Sequence, residues 1–148
     1  MNKIIRFFLI TSMVLIALIL ISYSCKDSGT NPQDKEFVLP DSNLTFDDVG
    51  PMLLAKCGSN SGCHNPTDKA GGLDITNYQA IMLHRVQSEF GSAILVIPGS
   101  GEASFLYQIL LQTSLGIPRM PKDGPFLNSN NINGVRIWIN EGARFSAN

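Results

Sequence analysis

The stretch CGSNSGCHN, residues 57–65, constrains this chain more than any other, because it holds two of the three cysteines and one of the two histidines. Cys57 and Cys63 are separated by Gly-Ser-Asn-Ser-Gly, and His64 follows directly. A disulfide between the two cysteines would close a small loop and contribute about 2–4 kcal/mol or less. The histidine beside the second cysteine opens a different interpretation, which depends on what the rest of the chain supplies.

An apolar run follows two basic residues at the N-terminus. Lys3 and Arg6 precede the apolar run FFLITSMVLIALILISYS, residues 7–24, and Cys25 follows the run directly. This order is typical of an export signal, so we predict a signal peptide over residues 1–24. An uncleaved membrane anchor is the alternative, since the run approaches the roughly 20 residues that span a bilayer.

The end of that run indicates a lipid anchor. Residues 21–25, ISYSC, resemble the lipobox of bacterial lipoproteins, in which the cysteine is lipidated and becomes the mature N-terminus. Cys25 is therefore the predicted lipidation site, and Lys26 after it favours the outer membrane. The rest of the chain then lies in the cell envelope, outside the cytoplasmic membrane, facing the periplasm or the cell surface. With Cys25 lipidated, Cys57 and Cys63 remain as a pair in an oxidising compartment.

The charge of the mature part argues against one class of partner. From Cys25 onward, nine basic and all twelve acidic residues give a formal charge of −3. Without a basic run, nucleic-acid binding is not expected. The net charge favours a basic protein partner.

Residues 25–44 are rich in Ser, Asn, Asp and Pro and predict a flexible tether, so the folded domain is expected over residues 45–148. Apolar periodicity predicts four short helices. They lie over 46–56, capped by Thr45 and Asp48; over a short segment with Thr76 as its N-cap; over 102–112; and from Asn128 or Ser129 to 141. The segment AILVIPGSG is extended or loop, with no visible partner strand, and TSLGIPRMPKDGPF is irregular.

A haem group would give Cys63, His64 and Met120 a common role. Iron takes a nitrogen or sulfur ligand on each face, and an imidazole with a thioether is a known pair. A thioether from Cys63 would hold the ring edge beside His64, and Met120, between prolines in a distant loop, is the candidate opposite ligand. Each residue has an ordinary alternative: Met120 as a buried side chain, His64 as an exposed loop residue. His84 is expected at the surface rather than as a ligand, and Trp138 in the core.

The segment from about Val49 to Ala143 resembles the small monohaem domains called planctomycete-type cytochrome c, which are related to class I cytochromes c. The matching blocks occur in order: MLLAKCGSNSGCHN, GGLDITNYQAIM, VIPGSGEASFLYQIL and RMPKDGPFLNSNNINGVRIWINEGA. The resemblance implies an all-α bundle of about four short helices with long loops around one covalent haem. It also implies thioethers from Cys57 and Cys63, with His64 as proximal and Met120 as distal iron ligand. The five-residue spacer departs from the usual two-residue spacing, which leaves attachment through Cys63 alone as an alternative.

The expected function is therefore that of a membrane-tethered monohaem c-type cytochrome, which carries single electrons between transient redox protein partners. No catalytic acid, base or open coordination site is evident, so turnover of a substrate is not expected, although a subunit role in a larger oxidoreductase fits. The alternative is a haem-free lipoprotein that serves as a binding or scaffold module, stapled by a Cys57–Cys63 disulfide. A haem-based sensor or peroxidase-like enzyme is a third interpretation, in which Met120 is not a fixed ligand.

Overall fold

A computed structural model describes residues 37–146. The signal peptide or anchor, Cys25 and the first part of the predicted tether lie outside these residues. The described part contains four α-helices and one antiparallel hairpin: α1 Phe46–Leu53, α2 Tyr78–Leu83, β1 Arg85–Ser88, β2 Gly91–Ile94, α3 Phe105–Leu111 and α4 Ser129–Asn140. The helices lie in the four segments that periodicity indicates, whereas their arrangement around a haem stays a prediction.

Helix α1 begins as its sequence predicts. The Thr45 backbone N–H and hydroxyl both donate to Oδ2 of Asp48, each at 2.8 Å, which satisfies a donor that the first turn leaves without a partner. The α-helix ends at Leu53 rather than near Lys56, and the chain continues as a π-helical turn over Leu54–Gly58. Such π-helical turns are frequent at functional sites, and this one carries Cys57.

The core forms where α1 and α3 each pack against α4. Val49 of α1 and Val135, Trp138 and Ile139 of α4 are fully buried, which confirms the predicted core position of Trp138. The indole Nε1–H donates to the Arg144 carbonyl at 3.0 Å, so the buried ring keeps its hydrogen bond. The buried residues of α3, which are Phe105, Leu106, Ile109 and Leu110, also line the cavity described below.

Residues 37–44 belong to the folded domain and not to the predicted tether. Leu39 is buried, and its backbone N–H and carbonyl both bond the side-chain amide of Asn130, at 2.9 and 3.2 Å. Near the other end of α4, the Glu141 carboxylate accepts the N–H groups of Asn43 and Leu44 at 2.8 Å each. Gly134 of α4 permits Leu39 to lie close to the helix, because a Cβ at position 134 would lie 2.9 Å from Cβ of Leu39.

The segment after α2 is a hairpin, which the sequence analysis did not predict. Strand β1 pairs with β2 from Arg85 opposite Ile94 to Ser88 opposite Gly91. The two-residue turn, Glu89-Phe90, lacks the Asn-Gly or Asp-Gly pair that identifies such turns in a sequence. Thr76 is also not the cap of α2. The Asn77 side chain accepts the Ala80 N–H at 3.0 Å instead, and the Thr76 hydroxyl donates to Asp74 at 2.6 Å.

The last two helices lie close to their predicted bounds. Helix α3 is shorter than predicted, and Ser104 directly precedes it. The buried hydroxyl of Ser104 accepts the Ile97 N–H at 2.8 Å. Asn128 caps α4 by accepting the Asn131 N–H at 2.8 Å. Between them, residues 113–128 form no helix, as the glycines and prolines predict. This long connection passes Met120 back towards α3.

Candidate functional site

A single cavity of about 390 Å³ brings together the four side chains that the sequence analysis assigns to a haem. Cys57, Cys63 and His64 line one part of it, and Met120 lines another. Its walls are otherwise largely apolar, and its volume lies within the ordinary range of cofactor sites. The apolar wall includes Leu73, Ile75, Leu95, Phe105, Ile109 and Leu110.

The two cysteines are free thiols in this structure. Cys57 sits in the π-helical turn after α1, and burial together with the nearby Cys63 raises its pKa to about 12. The Cys57 side chain is therefore a protonated thiol at neutral pH, a poor thiolate ligand for a metal ion. Gly58 beside it is required by close packing, since a Cβ there would lie 2.9 Å from Cγ2 of the buried Ile75.

The backbone on both sides of His64 is held by hydrogen bonds. Its N–H donates to the Cys57 carbonyl at 3.0 Å, and its carbonyl accepts the Ile75 N–H at 2.8 Å. The imidazole is also oriented, because Nδ1 lies 2.8 Å from the Ala70 carbonyl oxygen. Since a carbonyl only accepts, Nδ1 carries the proton and Nε2 keeps its lone pair for a metal. Burial lowers the pKa of His64, which favours the neutral form that ligates iron.

Met120 is half-buried and is held by α3, not by its own loop alone. Its N–H donates to the Ile109 carbonyl at 2.9 Å, and the neighbouring Arg119 Nε donates to the Leu110 carbonyl, also at 2.9 Å. Both acceptors belong to the last turn of α3, whose carbonyls have no partner within the helix. The end of α3 thereby positions the loop so that Met120 faces the cavity that His64 also lines.

Five further polar residues line the cavity without a predicted role there, namely Lys56, Asn60, His84, Gln87 and Lys122. His84, at the end of α2, is half-buried and not the surface residue that we expected. Burial, and then the charge of His64, lowers its pKa. Lys56 and Lys122 are the charged residues of the lining, in which no carboxylate occurs. Lys56 directly precedes Cys57 in the π-helical turn, whereas no local signal identifies His84, at the end of α2, or Lys122, in the long loop after α3.

The donor set fits a haem better than a metal ion held by protein alone. Over residues 37–146, no group of three or more His, Cys, Asp or Glu side chains is placed to bind a metal ion. One oriented imidazole and one thioether, on an apolar cavity with two thiols, are instead the donors that a c-type haem requires. The residues present therefore fit the predicted group.

The described residues contain no helix that is long and apolar enough to cross a membrane.

Comparisons with protein-family models, with curated proteins and with solved structures each found no match. The functional conclusions below therefore rest on the residues of the cavity and on the sequence.

Proposed function

We propose that this chain is a monohaem c-type cytochrome, tethered to a membrane through Cys25 and carrying single electrons between protein partners outside the cytoplasmic membrane. One observation carries the proposal: His64, with its Nδ1 proton engaged by Ala70, and Met120 line the same apolar cavity as Cys57 and Cys63. Donors separated widely along the chain meet there with the two thiols that covalent attachment needs.

Haem supplies a reversible one-electron couple when it is bound, and the chain sets the conditions for it. Nε2 of His64 and Sδ of Met120 would hold the haem iron. A thioether ligand favours the reduced state and so raises the reduction potential. The apolar wall lowers the polarity around the site, which also favours the less charged state.

The surroundings of the cavity support electron transfer rather than substrate turnover. Two amino acid ligands leave no coordination position for a substrate, and no aspartate or glutamate lines the described cavity as a general acid or base. Lys56 and Lys122 are its charged lining residues. The charged lining residues are thus basic although the chain from Cys25 onward carries −3, so an acidic partner surface fits this region better than a basic one.

Covalent haem is the decisive test. The full-length chain is produced in bacteria with a haem-attachment system, denatured, digested with trypsin, and analysed by absorbance and mass spectrometry. Cleavage after Lys56 and Lys69 releases residues 57–69, which hold Cys57, Cys63 and His64 but exclude Cys25. We expect this peptide to absorb as a haem peptide and to gain the mass of one haem.

A colourless peptide would contradict the proposal. If its mass were that of the polypeptide less two hydrogens, the cysteines would form a disulfide, which is the haem-free scaffold alternative. A haem that dissociates on denaturation would exclude the c-type assignment while leaving haem binding in place. The variant C57S/C63S is the matched control, because it keeps His64, Met120 and the cavity but removes both thiols.

A further inference from the structure

Backbone hydrogen bonds hold Cys57 close to Cys63 and His64, although five residues separate the two cysteines. The His64 N–H donates to the Cys57 carbonyl at 3.0 Å, and the Cys63 N–H donates to the Asn60 carbonyl at 3.3 Å. These bonds bring Cys57 directly beside the Cys63-His64 pair. Of the five spacer residues, Gly58 is buried and residues 59–62 are exposed, so most of the spacer lies at the surface, although Asn60 and Gly62 also line the cavity.

Two side chains beyond His64 hold the spacer in this shape. Oδ2 of Asp68 accepts the Gly62 N–H at 2.9 Å and an Nδ2–H of Asn65 at 2.8 Å. Nδ2 of Asn65 also donates to the Asn60 carbonyl at 3.0 Å. We call Asn65 and Asp68 the spacer latch.

The latch is itself anchored to the backbone that follows His64. Oδ1 of Asn65 accepts the N–H groups of Thr67 and Asp68, at 2.9 and 2.8 Å. The Lys69 N–H then donates to the Asn65 carbonyl at 3.0 Å, and the Ala70 N–H donates to the Cys63 carbonyl at 3.1 Å. The same short segment therefore fixes the spacer on one side and, through the Ala70 carbonyl, the His64 ring on the other.

We infer that the spacer latch is a positioning device which presents Cys57 together with Cys63, so that both cysteines bond one haem despite the five-residue spacer. This inference rests on the proposed function. In each attachment the thiol S–H adds across a vinyl double bond: a C–S bond forms, the hydrogen goes to the other vinyl carbon, and no electron is gained or lost. The free thiols in the structure are the form that this addition requires.

A flexible spacer explains why a latch is needed. Gly62 has a φ of 77°, a conformation that glycine adopts without strain, and a chain of small residues samples many others. Ordering such a loop costs conformational entropy, which the hydrogen bonds of Asn65 and Asp68 offset. Without them Cys57 would leave the neighbourhood of Cys63 for part of the time, while Cys63 would stay beside His64.

The test counts the attached thiols. The full-length chain, purified in detergent with reduced thiols and without haem, is incubated with reduced haem, denatured and alkylated. Because vinyl addition loses no atom, singly and doubly attached peptides 57–69 have the same mass until alkylation marks a thiol that is still free. We expect the wild type to be doubly attached and Asp68→Ala to lower the ratio of doubly to singly attached peptide roughly two- to tenfold, as loss of one or two hydrogen bonds allows.

Two further variants separate positioning from general stability. Asp68→Asn keeps an acceptor oxygen for Gly62, so it is expected to restore the wild-type ratio. Asp74→Ala removes a comparable carboxylate that bonds Thr76 and not the spacer, so it is expected to leave the ratio unchanged. Wild-type peptide with Cys57 alkylated and Cys63 attached would overturn the inference but not the proposed function. Equal ratios for wild type and Asp68→Ala would do the same, whereas wild type without covalent haem would overturn both.

Discussion

Nδ1 of His64 lies 2.8 Å from the carbonyl oxygen of Ala70, which determines the nitrogen that is left for a metal. The contact spans only six residues, yet it depends on the turn that the chain makes after His64. Ala70 bonds this region twice, since its N–H donates to the Cys63 carbonyl at 3.1 Å. Two hydrogen bonds therefore hold Cys63, His64 and Ala70 together, and such a contact to the second ring nitrogen orients ligand histidines.

Replacing His64 is expected to remove the proximal ligand without removing the haem. In His64→Ala, Cys63 still attaches the haem, but the low-spin absorption spectrum of the wild type is lost. His84→Asn is the matched control, because His84 lines the same cavity and is not an assigned ligand. Visible absorption of the purified variants distinguishes the two. A low-spin spectrum in His64→Ala together with its loss in His84→Asn would reverse the assignment.

Replacing Met120 is expected to lower the reduction potential. Loss of the thioether removes a ligand that favours reduced iron, and axial ligands set potentials over a range of about 0.8 V. Redox titration of Met120→Ala measures the change. Met82→Ala is the control, because Met82 is also partly buried against the core and does not line the cavity. An unchanged potential and spectrum in Met120→Ala would show that the distal ligand is another group.

The packing of residues 37–44 on α4 is tested at Gly134. An alanine Cβ there would overlap the Leu39 side chain, so Gly134→Ala is expected to reduce the free energy of unfolding by about 1–3 kcal/mol. In a Leu39→Ala background the same change should cost less, because the overlapping atoms beyond Cβ are gone. Urea unfolding of the four proteins gives the coupling. Additive costs would mean that Leu39 does not lie on Gly134 in solution.

The haem-free protein is expected to lose stability as the pH falls below 6.5. Burial, with the charge of His64, lowers the pKa of His84 below this ordinary value. At a pH between the pKa of His84 in the folded protein and its ordinary pKa, the unfolded chain binds more protons than the folded chain. The contribution of neutral His84 to stability is therefore complete above pH 6.5, and it is lost as the pH falls towards the folded-state pKa.

Urea unfolding from about pH 7.5 to about pH 5.5 measures this effect, and His84→Asn should flatten the slope. Lys56 and Lys122 also line the cavity that His84 lines. The residual slope in His84→Asn belongs to the remaining groups, His64 among them. An identical slope in wild type and variant would mean that His84 is solvated in the folded protein.

Local rules sufficed for part of the fold. The Thr45–Asp48 pair and the apolar face around Trp138 identify α1 and α4, because capping and helical periodicity involve residues only a few positions apart. The hairpin was missed because Glu89-Phe90 carries no turn signature, and its strands form by pairing with each other. The composition of residues 25–44 predicts a tether there, because nothing local reveals that Leu39 packs on α4.

The sequence by itself determined the donor types, since Cys57, Cys63, His64 and Met120 are recognisable by residue type, order and neighbours. Only the tertiary structure decided that one cavity collects them, that His84 joins them, and that spacer residues 59–62 are exposed. The physical reason is that these features depend on contacts between distant segments. The carbonyls at the end of α3 bring Met120 to the cavity, and Ala70 orients His64, neither of which a local pattern specifies.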